Sequence, residues 1–248
     1  MASSLTTQAR IRRATKADIE ELSHVMARSF ANDPFEHWVK GAKRPISDLD
    51  TKDPEEVKAL KHMRYFQWTL ARLFLLHGQV DVVVVHADGR EKIVSCICWV
   101  EPGKTADPGL ISIMRMRPLR VLRAWGFKPF QRMILEFSPR IEKAKKQAFG
   151  ARGTNMKDAW YLGIAATDPD YEGHGYASLI IKERFKTIGS TPIHLEASNP
   201  RARDIYEHYG FQLVETVRFG VGKVDSDGLT AEGEKAIGVP DFVMIKWE

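Results

Sequence analysis

Glu172-Gly173-His174-Gly175-Tyr176-Ala177 joins an apolar run, Ala159 to Thr167, to a segment of helical periodicity that reaches about Ile188. The first run reads as a strand and the second as a helix. At the start of a helix the leading N–H groups have no intrahelical acceptor, and the macrodipole favours an anion there by roughly 0.3–1 kcal/mol. Gly173 and Gly175 let the backbone come close to such an anion, so the amides around His174 to Ser178 suit a pyrophosphate. Glycines also punctuate ordinary strand-to-helix turns, so this stretch alone leaves both readings open. It is not a P-loop, because no Gly-Lys-Ser/Thr follows. Nor is it Gly-x-Gly-x-x-Gly, because Ser178 occupies the last position.

About 20 residues downstream stands His194-Leu195-Glu196-Ala197-Ser198-Asn199-Pro200-Arg201-Ala202-Arg203-Asp204-Ile205-Tyr206-Glu207-His208-Tyr209-Gly210-Phe211. Ile193 to Ala197 reads as a strand, and Asn199 opens a helix that ends at Gly210. Together the two stretches resemble the GNAT superfamily of N-acetyltransferases. Its motifs run Gln/Arg-x-x-Gly-x-Gly/Ala and then Asn-x-x-Ala-x-x-x-Tyr-x-x-x-Gly-Phe. Asn199, Ala202, Tyr206, Gly210 and Phe211 all match the second motif, and Gly173 to Ala177 match the first. Glu172 departs from it, placing an anionic side chain where the family has Gln or Arg. Leu162 to Tyr171 is similar to the family's fourth strand and its Pro-x-Tyr approach to the turn.

The resemblance implies acetyl-CoA as co-substrate and no metal. Glu172, Gly173, His174, Gly175, Tyr176, Ala177 and Ser178 would hold its diphosphate, and the main chain of Ala165 and Thr167 its pantetheine arm. Asn199 would touch the cofactor, although capping its own helix explains that residue equally well. Tyr206 would lie near the thioester sulfur and protonate the departing thiolate, with Tyr209 as the reserve. The implied fold is α/β, of the α+β kind. A mixed sheet of about six to seven strands is flanked by helices, with a helical insertion at about 103–157 between the third and fourth strands. The expectation is one domain over 1–248, with the cofactor motifs in 159–217. The resemblance is weaker over residues 8–100, where Ser29 to Phe35 looks like the matching segment of small-molecule and antibiotic acetyltransferases.

Acyl transfer to an amine needs a proton acceptor. A lysine-like amine with a pKa of about 10.4 is neutral to about one part in a thousand near pH 7.4, a handicap of about 4 kcal/mol. Strand alternation sets Leu195 on one face and His194 with Glu196 on the other, so Glu196 projects near the parted strands and is the candidate base. Glu101 and Asp33 are alternatives that also suit a turn or a cap.

Elsewhere the chain reads as a strand at Ile11 to Ala14, a helix through Ile19, Leu22, Val25, Met26 and Phe30, and a helix from Pro54 to His77. A hairpin follows, from Val80 to Val100 about Asp88-Gly89. Helical stretches run around Leu110 to Trp125 and Pro129 to Phe149. Strands close the chain at Phe211 to Val217 and Asp241 to Trp247. Within the insertion, Met114, Met116, Leu119, Leu122 and Trp125 alternate with Arg115, Arg117, Arg120 and Arg123, which suits a lid better than a membrane surface.

Of 248 residues, 44% are hydrophobic and 28% charged, enough for one substantial core. Lys and Arg number 37 against 32 Asp and Glu, a balance that suits a ligand carrying phosphates; no nucleic-acid motif accompanies it. Cys96 and Cys98, two apart in an apolar run, read as reduced core residues. No apolar stretch is long enough to span a membrane, and Met1 to Thr7 lacks a secretory apolar run, so a cytoplasmic location is expected. The expected activity is N-acetylation of a small-molecule primary amine by a monomer or homodimer. The rival readings are a non-catalytic acyl-CoA sensor and an acetyltransferase of protein amines.

Overall fold

A computed structural model of the chain describes residues 9–87, 89–104 and 118–248. Asp88 of the expected hairpin turn and the stretch Leu110 to Arg117 of the expected insertion helix lie outside the described residues. In chain order the elements are β1 (Arg10–Arg13), α1 (Ile19–Ser29), α2 (Pro34–Lys40), α3 (Pro54–His77), β2 (Gln79–Ala87), β3 (Arg90–Val100), α4 (Pro118–Trp125) and α5 (Lys128–Gln131). A π-helical segment (Arg132–Phe137), α6 (Ser138–Ala151), β4 (Trp160–Thr167), α7 (Tyr176–Ile188), β5 (Ile193–Ala197), α8 (Pro200–His208), β6 (Gln212–Phe219) and β7 (Val239–Lys246) complete it.

Local chemistry explains the helix boundaries. Asp33 and Asp53 cap α2 and α3 by accepting backbone N–H groups, and Pro34 and Pro54 occupy the first turn, where a missing N–H costs nothing. At the far end of α3, any Cβ on Gly78 would lie 2.2 Å from the Trp99 carbonyl oxygen, so only glycine fits.

The seven strands form one mixed sheet in the order β1-β2-β3-β4-β5-β7-β6, antiparallel throughout except for β4 with β5. One face packs against α1 and α3, where Leu22, Val25, Met26 and Phe74 meet Val82, Cys96, Cys98 and Ile164. The other packs against α7 and α8, where Ile180, Ile181 and Tyr206 meet Val83, Ile97, Leu162 and Leu195. The described part of the insertion is structural: Ile141 and Ala144 of α6 join Trp38 and Val39 of α2 over Phe219 and Val243. Cys96 and Cys98 are buried and unbridged on one face, as their spacing implies.

β4 and β5 pair only at Trp160 with Ile193 and Tyr161 with His194, and beyond these positions they separate. The register of β3 against β4 shifts at Cys98 and Trp99, which makes Gly163 the extra residue of a bulge, and bulges bend the strand that carries them. Gly163 is also where Phe74 presses on the sheet, since a Cβ there would lie 2.3 Å from the Phe74 ring. Gly163→Ala is therefore expected to destabilise the protein by about 1–3 kcal/mol. Phe74→Leu added to it should recover part of the loss in thermal denaturation. An unchanged melting temperature for the single variant contradicts the packing described here.

Candidate active site

The turn after β4 is held from below. Arg28 of α1 reaches Asp168 Oδ1 at 3.2 Å through Nε and Asp170 Oδ2 at 2.8 Å through Nη2, and the Asp168 N–H donates to the Val94 carbonyl at 2.9 Å. Gly173 and Gly175 then take left-handed conformations with φ of 78° and 74°, which favour glycine, and a Cβ on either would enter open space. Gly175 is the N-cap of α7 and supplies no side-chain cap. Among the described residues, no acceptor meets the N–H groups of Gly173, His174, Gly175, Tyr176, Ala177 or Ser178, and the first helical bond runs from Leu179 back to Gly175. Arg201 Nη2 reaches Glu172 Oε2 at 3.2 Å, so the acidic side chain that departs from the motif has a cation beside it.

Because Asp168 bonds to β3, antiparallel alternation turns Ala166 and Ile164 toward β3. The main-chain groups of Ala165 and Thr167 turn the other way, into the space that β5 has left. Beneath that space Tyr161 spans the two strands: its hydroxyl donates to Glu196 Oε2 at 2.8 Å, and its ring stacks on His194 at 4.9 Å. Lys145 of α6 pairs with Glu196 Oε1 and lies 4.3 Å from the Tyr161 ring centre. Burial, with Lys145 adding to it, holds His194 well below the usual histidine range, so its imidazole is neutral.

Asp33 links α2 to the end of β5. Its Oδ1 accepts the N–H groups of Phe35 and Glu36 at 3.0 and 3.2 Å, and its Oδ2 accepts the Ser198 hydroxyl at 2.6 Å. Asn199 caps α8 through the Ala202 N–H at 2.9 Å, and its amide turns toward Asp33 Oδ2. One turn along α2, Gln67 Nε2 donates to Glu36 Oε1 at 2.9 Å. Burial, reinforced by Asp33, pushes the Glu36 carboxyl up to about 8. Glu101 accepts from Gln79 and pairs with Lys104.

Tyr206 lies on the α7 and α8 side of the sheet with its ring 5.6 Å from Phe211, and its hydroxyl has no hydrogen-bond partner among the described residues. Burial raises its phenol above the ordinary value, so it stays protonated. Tyr209 is engaged, donating to Ser178 Oγ at 2.6 Å. The sequence does not single out Tyr161, Lys145, Glu36, Gln67 or Asp241 as site residues. Only Glu36 had a local signal there, since Asp33-Pro34 is a helix start that places residue 36 in the first turn. Among the described residues, no group of His, Cys, Asp or Glu is arranged to hold a metal ion, and no helix is long and apolar enough to cross a membrane.

Solved structures share this overall fold. No protein-family model matches the sequence. An uncharacterized N-acetyltransferase of Schizosaccharomyces pombe is 28% identical over 121 residues, 48% of this chain and 47% of that protein. The chain thus spans about half the length of that curated relative. A structure described as histone acetyltransferase HPA2 and related acetyltransferase, from Corynebacterium glutamicum, superposes with a TM-score of 0.52 at 22% identity, covering 96% of this chain and 95% of that one. Arylalkylamine N-acetyltransferase 2 of Aedes aegypti gives 0.52 at 13% identity, covering 97% and 99%. The chain has the GNAT N-acetyltransferase fold.

The Glu36 carboxyl gives a stability signature. The folded chain keeps that proton up to about 8, whereas an unfolded chain releases it near the ordinary value of 4.5. Between these values the folded state binds more protons. The stabilisation is therefore full below 4.5 and lost as pH rises to about 8. The melting temperature of Glu36→Gln relative to the parent is expected to climb from pH 5 to pH 8. A constant difference across that window contradicts the assignment.

Proposed function

We propose that the chain is an acyl-CoA-dependent N-acyltransferase that moves an acetyl group from acetyl-CoA to a primary amine of a small molecule. The observation that carries this is the run of unpaired N–H groups from Gly173 to Ser178, beside two glycines whose missing side chains leave the approach open. Those amides fit a diphosphate, and the outward main chain of Ala165 and Thr167 fits an extended amide-bearing arm lying where β5 is absent. Bound there, acetyl-CoA supplies an activated thioester carbonyl.

The protein's own groups handle protons and position. Tyr206, kept protonated by burial, is the proposed general acid for the leaving sulfur. Glu196, two residues past the last β4–β5 pair, is the proposed base, and Lys145 and Tyr161 hold it in one orientation. Asn199 acts by holding the start of α8, and therefore Tyr206, against the end of β5.

Incubation with acetyl-CoA and a mixed amine library should give products heavier by one acetyl group. Tyr206→Phe is expected to lower turnover on the order of a hundredfold. Glu196→Gln should lose a comparable factor at pH 7 and much less near pH 10, where the amine deprotonates unaided. No acetylated product from any amine overturns the assignment, and a pH-independent loss in Glu196→Gln removes Glu196 as the base.

A further inference from the structure

Away from the acyl-transfer site, α1, α3 and α4 border a cavity of about 300 Å³, the lower end of the volumes that hold small ligands. Lys61, Arg64, Tyr65 and Trp68 of α3 line it, together with Glu20 of α1 and Arg120 of α4. None of these residues belongs to the turn from Gly173 to Ser178 or to β4 and β5. Packing sets the wall that α4 supplies. Val121 is buried and the Trp125 ring lies 5.2 Å from that of Phe66, which brings the Arg120 guanidinium to 5.8 Å from the Tyr65 ring centre.

The one carboxylate among the described lining residues is committed internally. Glu20 Oε1 accepts the Trp68 indole N–H at 3.0 Å, and its Oε2 accepts from Arg64 Nη2 at 3.2 Å. Arg64 is held further by Ser23 Oγ, to which its Nε donates at 3.3 Å. Lys61 and Arg120 pair with no carboxylate among the described residues. Three cations therefore face one acid, a surplus of two positive charges. A neighbouring cavity of about 420 Å³ shares Glu20 and Arg64 but has no surplus, because Glu20, Glu21 and Glu91 there meet Arg64, Arg90 and Lys92, and burial keeps the His24 imidazole neutral.

A cleft lined by one sign of charge between apolar walls concentrates counter-ions of the other sign. Tyr65 and Trp68, both half-buried, are the apolar walls here. A carboxylate matches only one of the two surplus charges. A phosphate monoester carries about −1.5 to −2 at pH 7 and three acceptor oxygens, which suit the ammonium of Lys61 and the planar fork of Arg120. The two rings give an aromatic body behind that head a surface on which to pack.

We propose that this cavity is a binding site for a small aromatic phosphate monoester, with Lys61 and Arg120 taking the phosphate and Tyr65 and Trp68 packing on the ring. Arg64, tied to Glu20, contributes to the field without moving. The site is additional to acyl transfer and does not depend on it.

Calorimetry on the full chain tests this with phenyl phosphate, inorganic phosphate and benzoate, first without coenzyme A and then with it in excess. Phenyl phosphate is expected to bind about tenfold or more tightly than either of the other anions, and equally well when coenzyme A is present. Lys61→Gln and Arg120→Gln should each weaken it by about three- to tenfold. Arg90→Gln, which removes a cation from the balanced cavity, should leave it unchanged. All three side chains are exposed, and circular dichroism establishes that the variants are folded. Equal affinity for the three anions, displacement of phenyl phosphate by coenzyme A, or an affinity unchanged in both folded Lys61 and Arg120 variants overturns the proposal.

Discussion

Two residue pairs hold β4 to β5, and past Tyr161 and His194 the main-chain groups of β4 that a parallel neighbour would satisfy have none. Backbone N–H and C=O groups in such a position are costly to bury unpaired, so a sheet that opens here needs something to fill the opening. The bulge at Gly163 and the pressure of Phe74 upon it bend β4. Arg28, anchored to Asp168 and Asp170, fixes the turn in which β4 ends. The unpaired amides of Gly173 to Ser178 lie directly downstream of that opening. Strand edge and turn present two sets of unsatisfied backbone groups, separated by the hydrogen-bonded segment from Asp168 to Glu172.

On the face below the opening, burial changes the behaviour of the same side-chain types. Glu196 is compensated by Lys145 and Tyr161. Glu36, close to Asp33 and with only one oxygen bonded, keeps its proton to about 8. Asp241 is likewise pushed well above the usual carboxylate range, by burial first and then by Glu196 and Asp33. Glu36 and Asp241 are thus two buried carboxyls that resist ionisation. Tyr206, on the α7 and α8 side of the sheet, is protonated for the same reason, burial.

Much of this was legible locally. The strand, turn and helix around Gly173 and Gly175, the cap at Asn199 and the burial of Cys96 and Cys98 all follow from periodicity and short-range chemistry, and each appears where the sequence puts it. The short helix α2 did not, because seven residues hold too little periodicity to register, even with Asp33-Pro34 marking its start. The meeting of Tyr161, Glu196 and Lys145 was not legible either. It depends on α6 folding back over the sheet and on β7 entering between β5 and β6, and no local pattern encodes such long-range packing. The described part of the insertion therefore supplies Lys145 to the site's floor, as well as Ile141 and Ala144 to the core.

The central claim is that the Gly173 to Ser178 amides converge on one anion. An amide-resolved NMR titration with coenzyme A tests it most directly. The account requires those six amides to shift together and saturate at a single concentration, with Ala165 and Thr167 following them. Saturable binding that leaves the six unmoved, or no binding at all, contradicts it.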